Sequence, residues 1–168
     1  IKKGSINHDI IANIDFAPTL LDVAKIDTNQ SMQGISFKNI LEGNTPKNWQ
    51  DAMYYHYYEF PFWHHVQPHY GIRTKKYTLA HFYYNIDVWE LYDLEKDPNQ
   101  MNNIISNPEY KEVIIELKKQ LKSLMVKYDN DKSLEDFRLV SDKDFGYIVE
   151  KTDYSNSLQE MLNKKKHQ

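Results

Sequence analysis

Between residues 107 and 128 the apolar positions fall on a single stripe. Val113, Ile114, Leu117, Leu121, Leu124, Met125 and Tyr128 recur at three- and four-residue intervals, the spacing of an amphipathic helix. Lys118, Lys119, Lys122 and Lys127 gather toward its end, where the helix dipole favours cations. Asn107-Pro108-Glu109 supplies the start: a capping amide, a proline whose missing N–H costs nothing in the first turn, and an acid. Upstream the pattern changes. Residues 51–58, 69–74, 77–82 and 88–93 are short β-favouring runs rich in Tyr, Phe and Trp, and each reads as a strand. Only Lys75-Lys76 separates the second from the third, which predicts a hairpin, and Asn85 and Asp87 mark the next turn. Residues 51–58 lack clean polar alternation. They read as a strand buried on both faces, or as one whose Tyr hydroxyls reach water at the edges. The helix stripe needs a partner and the strands supply one. The expected fold is α+β, a four-stranded antiparallel sheet packed on the long amphipathic helix.

The first fifty residues follow another pattern. Ala17, Leu20, Leu21 and Ala24 recur at helical spacing, with Asp15 expected as N-cap and Pro18 tolerated in the first turn. The helix is expected to stop near Lys25. Residues 26–36 read as loop with Gly34 as a turn residue, and 37–41 as one helical turn ended by Gly43. Beyond Asp129 the periodicity fades. Residues 137–140 and 147–149 read as short strands or docking segments, and 158–165 as a last helical turn. The expected organisation is 1–48, 49–128 and an extension 129–168.

Composition narrows the classes. The 168 residues are 40% hydrophobic and 27% charged with net charge −3, which is globular. No apolar run reaches membrane-spanning length. The one basic cluster, Lys164 to Lys166, reads as a solvated tail, so no nucleic-acid partner is expected. The absence of Cys excludes disulfides and a Cys nucleophile. Residue 1 is Ile, so the chain is expected to begin inside a longer protein or after processing.

Candidate chemistry concentrates in residues 59–73. A loop with two prolines, large aromatics and His64, His65 and His69 is no passive connector. Three His could converge on a metal, pack structurally, or contact substrate. Imidazole exchanges hydrogen bonds with hydroxyls, and imidazolium pairs with anions. Against a metal, adjacent His on extended chain point to opposite sides. Arg73 offers a planar fork for sulfate or carboxylate, although on a strand it more often pairs with a neighbouring acid. No Gly-x-Ser-x-Gly elbow or phosphate-cradling glycine loop occurs. Asp93, Glu95 and Asp97 read as a solvated turn with an incomplete calcium-loop spacing.

Several ordered stretches resemble type I, formylglycine-dependent sulfatases. NIDFAPTLLDVA at 13–24 and MQGIS at 32–36 resemble the last helix of their large alkaline-phosphatase-like domain and the segment after it. HYGIRT at 69–74, Lys76-Tyr77, WELYDLEKDP at 89–98 and Asn102-Asn103 resemble their C-terminal subdomain. The set covers about residues 4–128 in order, closest in style to glycosaminoglycan-, glucosamine- or arylsulfatase-type bacterial members. Lys25 departs from the pattern, standing where Gly is usual, and Thr78 stands where Lys is usual.

The resemblance implies a hydrolase of sulfate esters on saccharides, a periplasmic or extracellular setting, calcium, and a formylglycine made in a Cys/Ser-x-Pro/Ala-x-Arg motif. That motif is absent here; Ser106-Asn-Pro-Glu-Tyr110 lacks the Arg and sits at a helix start. The chain is thus expected to be a C-terminal piece, inert alone, with no cofactor of its own and the N-terminal catalytic domain as its partner. His64, His65, His69 and Arg73 are its expected substrate contacts. An exposed apolar face is expected on the Ala17–Leu21 helix. The rival readings are a non-catalytic carbohydrate-binding or interaction module, and a fragment of a related phosphohydrolase of the same superfamily.

Overall fold

The computed structural model describes residues 1, 3–27, 31–60 and 66–139. Helices α1 (Phe16–Val23), α2 (Lys38–Leu41) and α3 (Lys111–Lys127) accompany strands β1 (Ala52–Tyr57), β2 (His69–Thr74), β3 (Tyr77–Phe82) and β4 (Val88–Asp93). The strands form one sheet in the order β1-β2-β3-β4. The last three match the expected bounds. The chain divides into two compact units, one of residues 1–56, 70–81 and 88–131, the other of 57–69, 82–87 and 132–168.

In the first unit the hairpin turns on Lys75-Lys76. The Lys76 and Tyr77 N–H groups donate to Thr74 Oγ1 at 3.2 and 2.8 Å, and the Thr74 hydroxyl donates to the Tyr77 carbonyl. That turn sets the register, so Arg73 stands opposite Thr78 and Tyr70 opposite His81. Side chains alternate between the two faces. One face holds the fully buried Ile72, Leu79 and Leu91 and receives the α3 stripe at Leu117, Leu121 and Met125. On the same side His81 accepts or donates at Tyr70 Oη (2.8 Å) and stacks on Trp89 at 4.2 Å, while Lys118 Nζ lies 4.0 Å over the Trp89 ring. Such ring and cation contacts add to simple burial.

The start of α3 forms as the sequence predicts. Asn107 Oδ1 accepts the Glu109 N–H at 3.0 Å, and Pro108–Tyr110 make a 3₁₀ turn into the helix. The start of α1 differs. Asp15 stands at the N-cap position of α1, as expected, but its side chain makes no cap bond into that helix; a 3₁₀ turn, Asn13–Asp15, precedes α1 with Ala12 as its own N-cap. The Asp15 carboxylate reaches back to the Ala12 N–H at 2.8 Å. The position is as expected and the bond differs, because the extra turn offers an orphan N–H upstream of α1. An apolar side of α1 is exposed, as expected, but it runs through Phe16, Leu20 and Val23 (51%, 68% and 55% accessible), while Leu21 of the Ala17–Leu20–Leu21–Ala24 stripe is half-buried.

Helices α1, α2 and α3 end in the same motif. The second residue past the cap bonds back to the third-last carbonyl: Ile26 N–H to Leu21, Asn44 to Asn39 and Asn130 to Met125. The motif requires a left-handed residue, which is Lys25 (φ 58°), Gly43 (φ 92°) and Asp129 (φ 52°) respectively. Gly43 adopts that conformation without strain; Lys25 does not. Lys25→Gly should therefore stabilise the chain by about 1 kcal/mol. Thermal denaturation would register a rise of roughly 2–4 °C, and an unchanged or lower midpoint would refute the reading.

In the second unit Tyr83 is fully buried against Phe137, ring centroids 5.6 Å apart, and its carbonyl accepts from Arg138 Nε at 2.9 Å. Phe137 is a docking residue, as expected, but residues 134–139 are helical rather than a strand. The segments 147–149 and 158–165 lie outside the described residues.

Candidate functional site

The residues that carry the sequence resemblance form a set of structural joints. Asp15 is 1% accessible, yet its carboxylate accepts three hydrogen bonds, from Ala12 N–H, Ile35 N–H (2.8 Å) and Gln50 Nε2 (2.7 Å). A buried carboxylate is tolerated only with such a full set. Thr19 Oγ1 donates to the Asp15 carbonyl at 2.6 Å and accepts the Phe37 N–H at 3.0 Å. The Ser36 hydroxyl donates to Asp22 at 2.6 Å and Lys38 pairs with the same carboxylate. That hydroxyl, with Lys38 behind it, holds the Asp22 carboxyl below the usual carboxylate range. Gly34 lets the two stretches touch, because a Cβ there would sit 2.0 Å from the Ile14 carbonyl oxygen.

The second motif closes β4. Asp93 Oδ1 accepts the Glu95 and Lys96 N–H groups, and Tyr110 Oη donates to Oδ2 at 3.4 Å. Asn103 Oδ1 accepts from Leu91 N–H and Ile105 N–H, and its amide donates to the Trp89 carbonyl. Asp97 Oδ2 likewise accepts the Asn102 N–H at 2.8 Å, Glu95 pairs with Lys76 at 2.7 Å, and among the described residues no cluster of His or acids is arranged to hold a metal.

Arg73 lies on the sheet face away from α3. Its guanidinium is exposed and Nη1 donates to Thr78 Oγ1 at 3.3 Å; the expected carboxylate partner is replaced by a hydroxyl. Tyr55 lies on the same face over Gly71, where a Cβ would come within 2.5 Å of the Tyr55 hydroxyl. Burial pushes the Tyr55 hydroxyl up to about 12 against the opposing pull of Arg73. Tyr92 is likewise pushed up to about 12, by burial and by its bond to Glu90 (2.8 Å).

His69, in the second unit, is set by its neighbours. Its Nδ1 is 2.8 Å from the Gln67 carbonyl oxygen. A carbonyl only accepts, so Nδ1 carries the proton, and in the neutral ring the lone pair is on Nε2. The ring stacks on Tyr57 (5.6 Å, 25°) and lies 4.7 Å from Phe82. His64 and His65 lie outside the described residues. His56, Tyr54 and Asn130 form a polar cluster in the first unit that the sequence pattern did not single out. Its only sequence signal was two polar-tipped residues at alternate positions of a strand.

A four-stranded antiparallel sheet on a long helix, preceded by the Asp15–Gly34 joint and closed by the Asp93–Asn103 joint, is the arrangement of the C-terminal subdomain of alkaline-phosphatase-like hydrolases. The chain belongs to the N-sulphoglucosamine sulphohydrolase C-terminal family, whose model matches residues 1–127. It is 48% identical over 134 residues to an N-acetylglucosamine-6-O-sulfatase of Bacteroides thetaiotaomicron, covering 78% of this chain and 24% of that protein. It is 37% identical over 120 residues to an arylsulfatase of Clostridium perfringens, covering 71% and 24%. Among solved structures it resembles an enzyme in complex with its substrate D-glucosamine-2-N,6-O-disulfate, at TM-score 0.69 and 46% identity over 72% of this chain and 25% of that one. A phosphonate monoester hydrolase of Agrobacterium radiobacter, 24% identical over 67% of this chain and 24% of its own at TM-score 0.56, shares the fold. The chain therefore spans about a quarter of the length of these relatives.

Proposed function

We propose that this chain is the C-terminal part of a sulfuric-ester hydrolase acting on sulfated saccharides, and that it contributes folding and substrate recognition. Residues 1–48 end the large domain, 49–128 form the recognition subdomain, and 129–168 extend it. The nucleophile, its formylglycine and the calcium ion belong to the upstream part; Asp93 and Asp97 are occupied as turn caps and Glu95 by Lys76, so they do not suit calcium. His64, His65, His69 and Arg73 are the substrate contacts within this chain.

The observation that carries this reading is the fixed imidazole of His69, held by the Gln67 carbonyl and a ring on each side. An imidazole held so firmly loses little freedom when it meets a ligand. The assignment of substrate class is supported by a relative named as an N-acetylglucosamine-6-O-sulfatase and by a structural neighbour holding a sulfated glucosamine. In the full-length enzyme His69→Ala should lower kcat/KM on sulfated saccharides about tenfold, the equivalent of one hydrogen bond to substrate. Unchanged kcat/KM on every sulfated saccharide would sink the assignment.

A further inference from the structure

In the second unit two polar atoms are shielded from solvent and have no hydrogen-bond partner among the described residues: the Tyr57 hydroxyl oxygen and the Gln67 side-chain oxygen. Both residues adjoin His69. The Tyr57 ring stacks on the imidazole at 5.6 Å and 25°, and the Gln67 backbone carbonyl accepts from Nδ1 at 2.8 Å. Several other phenols of the chain are bonded. Tyr54 accepts from Asn130, Tyr70 meets His81, Tyr92 donates to Glu90 and Tyr110 to Asp93. A polar atom withdrawn from water and left unbonded works against folding, so native chains hold few of them. Here two flank one imidazole.

Packing does not explain them. Phe82 lies 4.7 Å from the same imidazole and has no hydroxyl to satisfy. Phenylalanine at position 57 would keep the stack and remove the orphan. The chain instead holds a hydroxyl there against its own stability, the pattern of a group kept for binding. Burial, and then the Glu59 charge, push the Tyr57 hydroxyl up, so at neutral pH it keeps its proton and both donates and accepts. The Gln67 oxygen only accepts, so its partner must bring an N–H or O–H. We propose that Tyr57 and Gln67 are specificity-determining residues of the full-length hydrolase, which bond the substrate beside His69 and select for a hydrogen-bond donor at that point. This rests on His69 being a substrate contact, and adds to it two residues that the sequence pattern did not single out.

The test is made in the full-length enzyme with N-acetylglucosamine 6-sulfate. Tyr57→Phe should lower kcat/KM about tenfold, and Gln67→Met by a similar factor. Without substrate, the melting temperature of both variants should be unchanged or raised, because each loses an orphan. A residue with a merely structural role would lower the melting temperature as well. A fall of more than about 2 °C in Tyr57→Phe would show that its hydroxyl is already bonded within the protein, and would overturn the proposal. Unchanged kcat/KM in Tyr57→Phe or in Gln67→Met would overturn the role of that residue, while a loss in His69→Ala would leave the His69 assignment standing. No hydrolysis of the probe by the parent enzyme, or unchanged kcat/KM in His69→Ala, would overturn the reading of His69 and this proposal with it.

Discussion

Gly34→Ala is expected to lower the melting temperature of the chain by roughly 6–12 °C, the equivalent of about 3 kcal/mol for a domain of this size. The reason is space. A Cβ at this position falls 2.0 Å from the Ile14 oxygen, 2.5 Å from its carbon and 2.9 Å from the Asp15 nitrogen. All three are backbone atoms in a turn fixed by the Asp15 carboxylate, so no flexible side chain can swing aside. Accommodation requires the 32–36 segment to lift, and that breaks the Ile35 and Phe37 N–H bonds to Asp15 and Thr19. Differential scanning calorimetry reads the effect directly. A fall of less than about 2 °C, within the range of an ordinary surface change, would mean that the two stretches do not pack this closely.

Asp15→Ala should cost about 3–5 kcal/mol, the sum expected when buried donors lose a shared charged acceptor. Ala12 N–H, Ile35 N–H and Gln50 Nε2 all point at that carboxylate. Gln50 can rotate toward the Ile10 carbonyl it already contacts at 3.2 Å, but the two backbone N–H groups cannot. Asp15→Asn keeps the volume and one acceptor oxygen, and should lose roughly half as much. Combined with Gly34→Ala, the losses should fall well short of additive, since both substitutions open one joint. Chemical denaturation of the single and double variants measures this. Additive losses would show that Asp15 and Gly34 serve separate parts of the fold.

Both predictions concern residues within the stretches that carry the sequence resemblance, and the structure gives their physical meaning. In the aspartate–proline–threonine run and the glycine–serine run, a buried carboxylate and a missing Cβ join α1 to the loop after it. Lys25 shows the converse. It departs from the usual glycine, and the position it occupies is a left-handed helix end where glycine has the advantage.

Periodicity and local turn chemistry determined much of this protein by themselves. The stripe from Val113 to Tyr128, the Asn107-Pro108 start, the Lys75-Lys76 hairpin and the Gly43 stop depend on neighbours a few residues away, and local geometry is written in local sequence. The sequence also showed that these 168 residues hold no Cys/Ser-x-Pro/Ala-x-Arg motif. Tertiary structure alone decided which groups meet across long separations. It brings Asp15 to Ile35 and Gln50, sets Tyr55 over Gly71, gives Arg73 a hydroxyl instead of an acid, and gathers residues 11–14, 53–56 and 128–130 around one cleft. Those meetings depend on how the sheet, the helix and the amino-terminal segment pack, and that packing is a property of the folded chain that no local pattern encodes.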